Sequence, residues 1–305
     1  MELIPMHVMV IWTPGIRQTR WMRHRAGRLL LILGTLSPAG LWAQSSPTSP
    51  TASAGRADTT GAARGDFFTG RDAALAGLFT AGTIAMFPVD RRIAMSLKTS
   101  SLQDNAFVHH AADAFRLTAV PGSLLIGGGL YAAGRLSGSA RMAELGLHGT
   151  EALLIGQALG TAVKGTLGRA RPYVVADSNA HDFALGRGFR MGNDFSSLPS
   201  GHTIAAFAAA SAVTSELAGW WPRATPFVGV VMYGGATMVA LERLYDDQHW
   251  ASDVLLAAAI GTFSGLKVVK FNHEHPGNRV DRLLLSASIA PGANGGATLS
   301  WMITP

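Results

Sequence analysis

Three stretches of this chain run 17–18 residues without one Asp, Glu, Lys or Arg: 73–89, 117–134 and 224–241. Such runs approach the shortest helix that crosses a bilayer. Three shorter runs that lack those residues and His, 152–163, 203–215 and 254–266, hold 12–13 residues and suit buried helices of a soluble bundle. From Ala73 to Phe271 there is no strand-like alternation and no long repeat, so the region reads as all-α. Pro88, Pro121, Pro172, Pro222 and Pro226 punctuate it. The pattern predicts a bundle of about six or seven helices, near 73–87, 101–117, 122–136, 140–168, 203–219, 226–244 and 249–268. With 36 glycines, 48% hydrophobic and only 14% charged residues, it fits closely packed helices, either embedded in a membrane or exported and soluble. The balance favours membrane association.

Flanking segments have different chemistry. Of the formal +6, residues 1–43 carry +4 through Arg17, Arg20, Arg23, Arg25 and Arg28 against one Glu, leaving +2 for the rest. No basic, aromatic-studded surface follows, so nucleic acid is not an expected partner. The stretch WMRHRAGRLLLILGTLSPAGLWAQSS has the charged front, apolar centre and small residues of an export signal, with a cut after Ala43. Leu41 three residues before that cut leaves an uncleaved anchor open, and Met22 is an alternative start. Both readings place the chain outside the cytosol, in or on the cell envelope. Residues 44–68 form a Ser/Thr/Pro/Gly-rich linker, 69–272 the helical domain, and 273–305 a tail in which strands around PGANGG suggest a β-hairpin. There is no Cys, which excludes disulfides, thiolate metal sites and cysteine nucleophiles.

Three polar clusters interrupt the apolar background. In KGTLGRARP, Lys164 and Arg171 are seven apart, close to two helical turns, and so face one side before Pro172 stops the helix. In PSGH, Ser200 and Gly201 stand before a helix whose free N–H groups and positive dipole receive anions. A plain N-cap is the simpler role for Ser200. In ERLYDDQHWASD, His249 and Asp253 are four apart on one helix face, where a carboxylate can hold an imidazole, and Arg243 ends the helix before. Asp246 and Asp247 receive no chemical role. If successive helices alternate in direction, the end of the fourth, start of the fifth, end of the sixth and start of the seventh share one pole. Three cations, two imidazoles and an anion-ready helix start then surround one cavity, as phosphoryl transfer requires.

K-x6-RP, PSGH and R-x5-H-x3-D, in that order, resemble the type 2 phosphatidic acid phosphatase (PAP2) superfamily, which includes lipid phosphate phosphatases, nonspecific acid phosphatases and vanadium haloperoxidases. The motifs span residues 164–253. The resemblance implies a phosphatase that needs no metal or other cofactor. His249 would be the nucleophile, Asp253 its partner and His202 the acid and base; Lys164, Arg171, Ser200, Gly201 and Arg243 would bind phosphate. It also implies a phosphorylated lipid or small molecule as substrate, with the lipid preferred. A soluble phosphomonoester, vanadium-dependent halide oxidation and a non-enzymatic envelope role remain the alternatives. One position departs: Glu242 stands where the family usually has Ser, and its carboxylate would compete with substrate for Arg243.

Overall fold

The computed structural model describes residues 6–8, 67–118, 120–176, 179–285, 287–291 and 297–301. The expected export signal (1–43) therefore lies outside the described residues except at Met6–Val8, as does the linker (44–68) except at its last two positions. Eleven α-helices are present among the described residues: α1 (Gly70–Met86), α2 (Asp90–Leu97), α3 (Ser100–Gln103), α4 (Ala106–Thr118), α5 (Val120–Ser137), α6 (Ala140–Leu167), α7 (Arg187–Arg190), α8 (Gly201–Trp220), α9 (Thr225–Tyr245), α10 (Ala251–Glu274) and α11 (Arg279–Leu284). The sequence pattern did not resolve α2, α3, α7 and α11, the four shortest. It also joined α3 and α4 into one helix, 101–117. The break arises because the Asn105 side chain accepts the N–H groups of Phe107 and Val108, capping a new helix there.

Residues Ala287–Pro291 (β2) and Ala297–Trp301 (β3) pair antiparallel, from Ala287 opposite Trp301 to Pro291 opposite Ala297. A short strand β1 (Met6–Val8) lines the other edge of β3. The residues joining β2 to β3 lie outside the described ones.

Helix α8 is central, packed on α5, α6, α9 and α10. Its Ile204, Ala205, Ala208, Ala210 and Ala212 are fully buried. Across the interface, a side chain at Gly261 or Gly265 of α10 would strike the α8 backbone. Small residues on both sides thus let the two helix axes approach, and the interface gains from many short dispersion contacts rather than from large side chains. At its start α1 is fixed by Thr69 and Asp72, which bond each other's backbone N–H. Lys267 Nζ, 2.6 Å from Asp72, ties that end to α10.

The outer faces are apolar. Leu78, Phe107, Leu125, Phe227 and Val230 are each more than two-thirds exposed. So many large apolar side chains left exposed mark a membrane-associated chain rather than a water-facing one. Three helical segments have the length and apolarity to cross a membrane: 70–97, 225–245 and 251–274. Helices α4 and α5, bent by 48° at their junction, make a fourth when taken as one span. The last of the three corrects the expectation for 254–266. That run continues past Lys267 and Lys270 into a 24-residue helix, longer than the uncharged stretch implied.

Candidate active site

Four helix ends meet at one pole: the end of α6, the start of α8, the end of α9 and the start of α10. The connection 168–200 folds across them. Lys164 lies in the last turn of α6, and its Nζ is 3.7 Å from where a Cβ on Gly201 would stand. Gln157 holds that turn by donating from Nε2 to the Gly201 carbonyl at 2.7 Å. Burial, with Arg171 nearby, lowers the Lys164 pKa from 10.5 to about 8.

The two cations of the first cluster do not share a helix as expected. Helix α6 stops at Leu167, because Gly168 takes the left-handed conformation (φ 55°) and its N–H bonds the Lys164 carbonyl. Arg171 lies beyond this cap, in extended backbone before a 3-10 turn at Pro172–Val175. Its Nε donates to the Asn193 carbonyl (2.8 Å), Nη1 to Gln248 Oε1 (2.7 Å) and Nη2 to Asn193 Oδ1 (2.6 Å). All three acceptors are neutral. Among the described residues, neither Lys164 nor Arg171 has a carboxylate within 4.0 Å. Their charge stays available to an anionic guest.

Arg169, which sequence reasoning passed over, behaves in the opposite way. All five of its donors are used: Nε and Nη2 on the Ala180 carbonyl, Nη1 on Ser252 Oγ and Asp253 Oδ1, and Nη2 also on Asp90 Oδ2. Its guanidinium carbon lies 4.9 Å from the Phe87 ring centre, 5.1 Å from Phe183 and 5.4 Å from Trp250. Asp90 in turn accepts the N–H and hydroxyl of Ser252. Arg169 is thus a positioning residue that locks Asp253 from behind and has no donor left for a ligand. The sequence signal was present, since GRARP holds two arginines, but spacing alone does not say which one faces the site.

The expected relation of His249 and Asp253 is also corrected. His249 lies ahead of α10, whose first residue is Ala251. Its Nδ1 donates to the Ser197 carbonyl at 2.7 Å, while Asp253 Oδ2 is farther, at 3.7 Å. A carbonyl only accepts, so the proton sits on Nδ1 and the Nε2 lone pair is left for chemistry. Asp253 acts mainly on the scaffold, accepting from Ser197 Oγ (2.5 Å) and the Trp250 N–H (2.8 Å). Ser197 was likewise missed, and a carbonyl contact leaves no signature in sequence. Burial, then Lys164 and Arg171, lowers the His249 pKa to about 3, against the raising pull of Asp253, so the ring is neutral near pH 7.

Ser200 is the N-cap of α8, its Oγ accepting from the Thr203 N–H (3.4 Å) and hydroxyl (3.0 Å). Its own hydroxyl hydrogen remains to be donated. The Leu198–Pro199 peptide before it is cis, and the Ser200 N–H bonds the Asp253 carbonyl, joining the α8 and α10 starts. His202 occupies the first turn of α8, where burial, followed by Arg243, Lys164 and Arg171, lowers its pKa to about 4. Arg243, near the end of α9, is the most neutralised of the three expected cations: it pairs with Glu242 and, at 3.0 Å, with Asp246. The departure at Glu242 thus has a direct structural effect. Chemically, the pole offers two carboxylate-free cations, a hydroxyl donor, a helix N-terminus and a neutral imidazole with its lone pair free.

The PAP2 superfamily profile matches residues 147–275. A Porphyromonas gingivalis protein described as a lipid A 1-phosphatase is 34% identical over 113 residues, covering 37% of this chain. The chain spans only 22% of that relative's length. Among solved structures, a transmembrane PAP2-type phosphatidylglycerolphosphate phosphatase from Bacillus subtilis is 20% identical, with 65% of this chain and 98% of that one covered at a TM-score of 0.35. The profile match opens in the first half of α6 and closes at the end of α10, so the part of the chain that is similar to the PAP2 superfamily encloses every helix end that meets at the polar pole.

Proposed function

We propose that the chain is a phosphoric ester hydrolase acting on a lipid phosphate monoester or diphosphate, through a covalent phosphohistidine. The observation that carries this reading is the Nδ1 bond of His249 to the Ser197 carbonyl, which commits the other ring nitrogen to nucleophilic attack beside two carboxylate-free cations. His249 Nε2 attacks phosphorus, the P–O bond to the leaving group breaks, and His202 gives that oxygen its proton. In the second step His202 removes a proton from water. The resulting hydroxide displaces His249 and releases inorganic phosphate. In the ligand-free protein burial, with the cations, keeps His202 neutral; an incoming phosphate offsets the cations and lets it hold the proton it delivers. Lys164, Arg171, Ser200 and the Gly201 N–H bind the phosphoryl oxygens, with Arg243 shared between substrate and Glu242. Asp253 acts through Ser197 and Arg169 to hold the two helix starts in place.

The lipid class is supported by the apolar outer surface and by the name of the Porphyromonas gingivalis relative. The signal-like residues 1–43 support an exported, envelope-facing chain. The test is phosphate release from a panel of phosphatidate, phosphatidylglycerophosphate, undecaprenyl diphosphate, a lipid A phosphate and a chromogenic monoester, with vanadate added. A lipid should lead the panel and vanadate should inhibit competitively. Preference for the soluble monoester would move the chain to the acid phosphatases, and halide oxidation with vanadate would make it a peroxidase.

A further inference from the structure

The opposite pole of the same helices carries a second convergent set of groups. His148 stands near the start of α6, Glu216 near the end of α8 and His273 near the end of α10. His148 Nδ1 is 2.5 Å from Glu216 Oε1, and His273 Nε2 is 2.8 Å from Glu216 Oε2. One donor atom from each of the three lies within 4.8 Å of the other two. The His148 and Glu216 side chains are 4% and 0% exposed, while that of His273 is 49% exposed and open to entry. Beside it, a pocket of about 430 Å³ reaches the surface, lined in part by Ser215, Gly219 and Lys270.

A second observation points to a missing positive charge, either a metal ion or a second proton on His148. His148 Nε2 and Asp281 Oδ1 are both buried without a hydrogen-bond partner and stand 3.4 Å apart. While Nδ1 of a neutral His148 donates to Glu216, Nε2 presents a lone pair to a carboxylate oxygen, and two acceptors confront each other. A metal on Nδ1 reverses this. The ring proton then moves to Nε2, beside Asp281, and a small rotation of the ring completes the carboxylate–imidazole–metal arrangement that orients metal-bound histidines. Asp281 is already held for that role. Its Oδ2 accepts from Asn278 Nδ2 at 2.7 Å, and Asn278 caps α11 through the N–H groups of Val280 and Asp281. Asn278 also bonds Asn272, which bonds Glu151, so a third carboxylate adds to the local negative charge.

We propose that His148, Glu216 and His273 form a divalent transition-metal site, zinc by its donor set, with water as the fourth ligand and Asp281 as the group that orients His148. Zinc ligands stand about 3.3 Å apart in a tetrahedral shell, so the short His148–Glu216 contact opens slightly when the ion enters. The ion clamps α6, α8 and α10 to α11 at the pole remote from Lys164, His202 and Asp253. It takes no part in phosphoryl transfer, and the proposal does not rest on the phosphatase reading.

The test uses full-length protein purified without a histidine tag, stripped with chelator and titrated with Co²⁺ as a spectroscopic probe, then with Zn²⁺. One equivalent of Co²⁺ should develop the visible bands of tetrahedral cobalt, one equivalent of Zn²⁺ should displace it, and the zinc-loaded protein should melt higher. His273→Ala, at a half-exposed position, should weaken Zn²⁺ binding at least about tenfold, and Asp281→Asn by about 10–100-fold. No cobalt spectrum and no zinc-dependent rise in melting temperature for the wild type would overturn the proposal. So would stoichiometric binding that His273→Ala leaves unchanged; the cluster would then be an ion ladder neutralised by protons.

Discussion

The two poles of the bundle solve opposite electrostatic problems with the same three helices. At one end of α6, α8 and α10, Lys164 and Arg171 lie against amides and carbonyls, and their positive charge is left for a guest. At the other end, Glu216 and Asp281 are buried against imidazoles whose charge depends on protons or a metal. The first pole also contains its own counterexample. Arg169, two residues from Arg171, spends all five donors on the protein. A buried charge that is fully paired builds a scaffold; one that is hydrogen-bonded but not neutralised waits for a ligand.

The largest effect should come from the nucleophile. His249→Ala should lower kcat by at least about 10⁴-fold while circular dichroism stays native, since the ring contributes one bond, to Ser197, and its Nε2 acts only in the reaction. Retained turnover would break the assignment of this pole to chemistry. Next, Arg169→Met should act on stability, leaving Asp90 and Asp253 buried without their shared partner at a cost of about 3–5 kcal/mol, read by denaturant unfolding. Arg171→Gln should do the reverse, with unfolding little changed and kcat/KM down about 10²–10³-fold. If the two arginine variants behaved alike, the contrast between them would fail. The smallest effect concerns pH. Because the Lys164 pKa is lowered to about 8, the ammonium loses its proton as pH rises through that value, and kcat/KM should fall about tenfold per unit above it. Lys164→Arg, always charged, should move that limb to higher pH.

Much of the polar pole was legible because helix ends have chemical signatures. Prolines, a Ser-Gly cap and clustered cations placed four termini in sequence, and alternation of helix direction did the rest. What spacing misjudged were local backbone states. Gly168 stops α6 four residues after Lys164, a left-handed cap that GRARP partly announces, so Arg171 reaches the site from a loop rather than from the helix face. His249 precedes α10 for a similar reason, with Trp250 as the cap. Ser197, Asn193 and the Ala180 carbonyl come from the polar insert, and all three act partly or wholly through backbone atoms, which no side-chain motif reports. At the far pole, the partners are 68 and 57 residues apart and each lies on a different helix, so only the folded bundle brings them together.

The stereochemical course at phosphorus tests the central claim most directly. A substrate made chiral at phosphorus by isotopes and turned over in labelled water passes through two in-line displacements if His249 is the nucleophile, so the released phosphate should show net retention. Net inversion would mean that water attacks phosphorus directly, and the role given to His249 would be wrong.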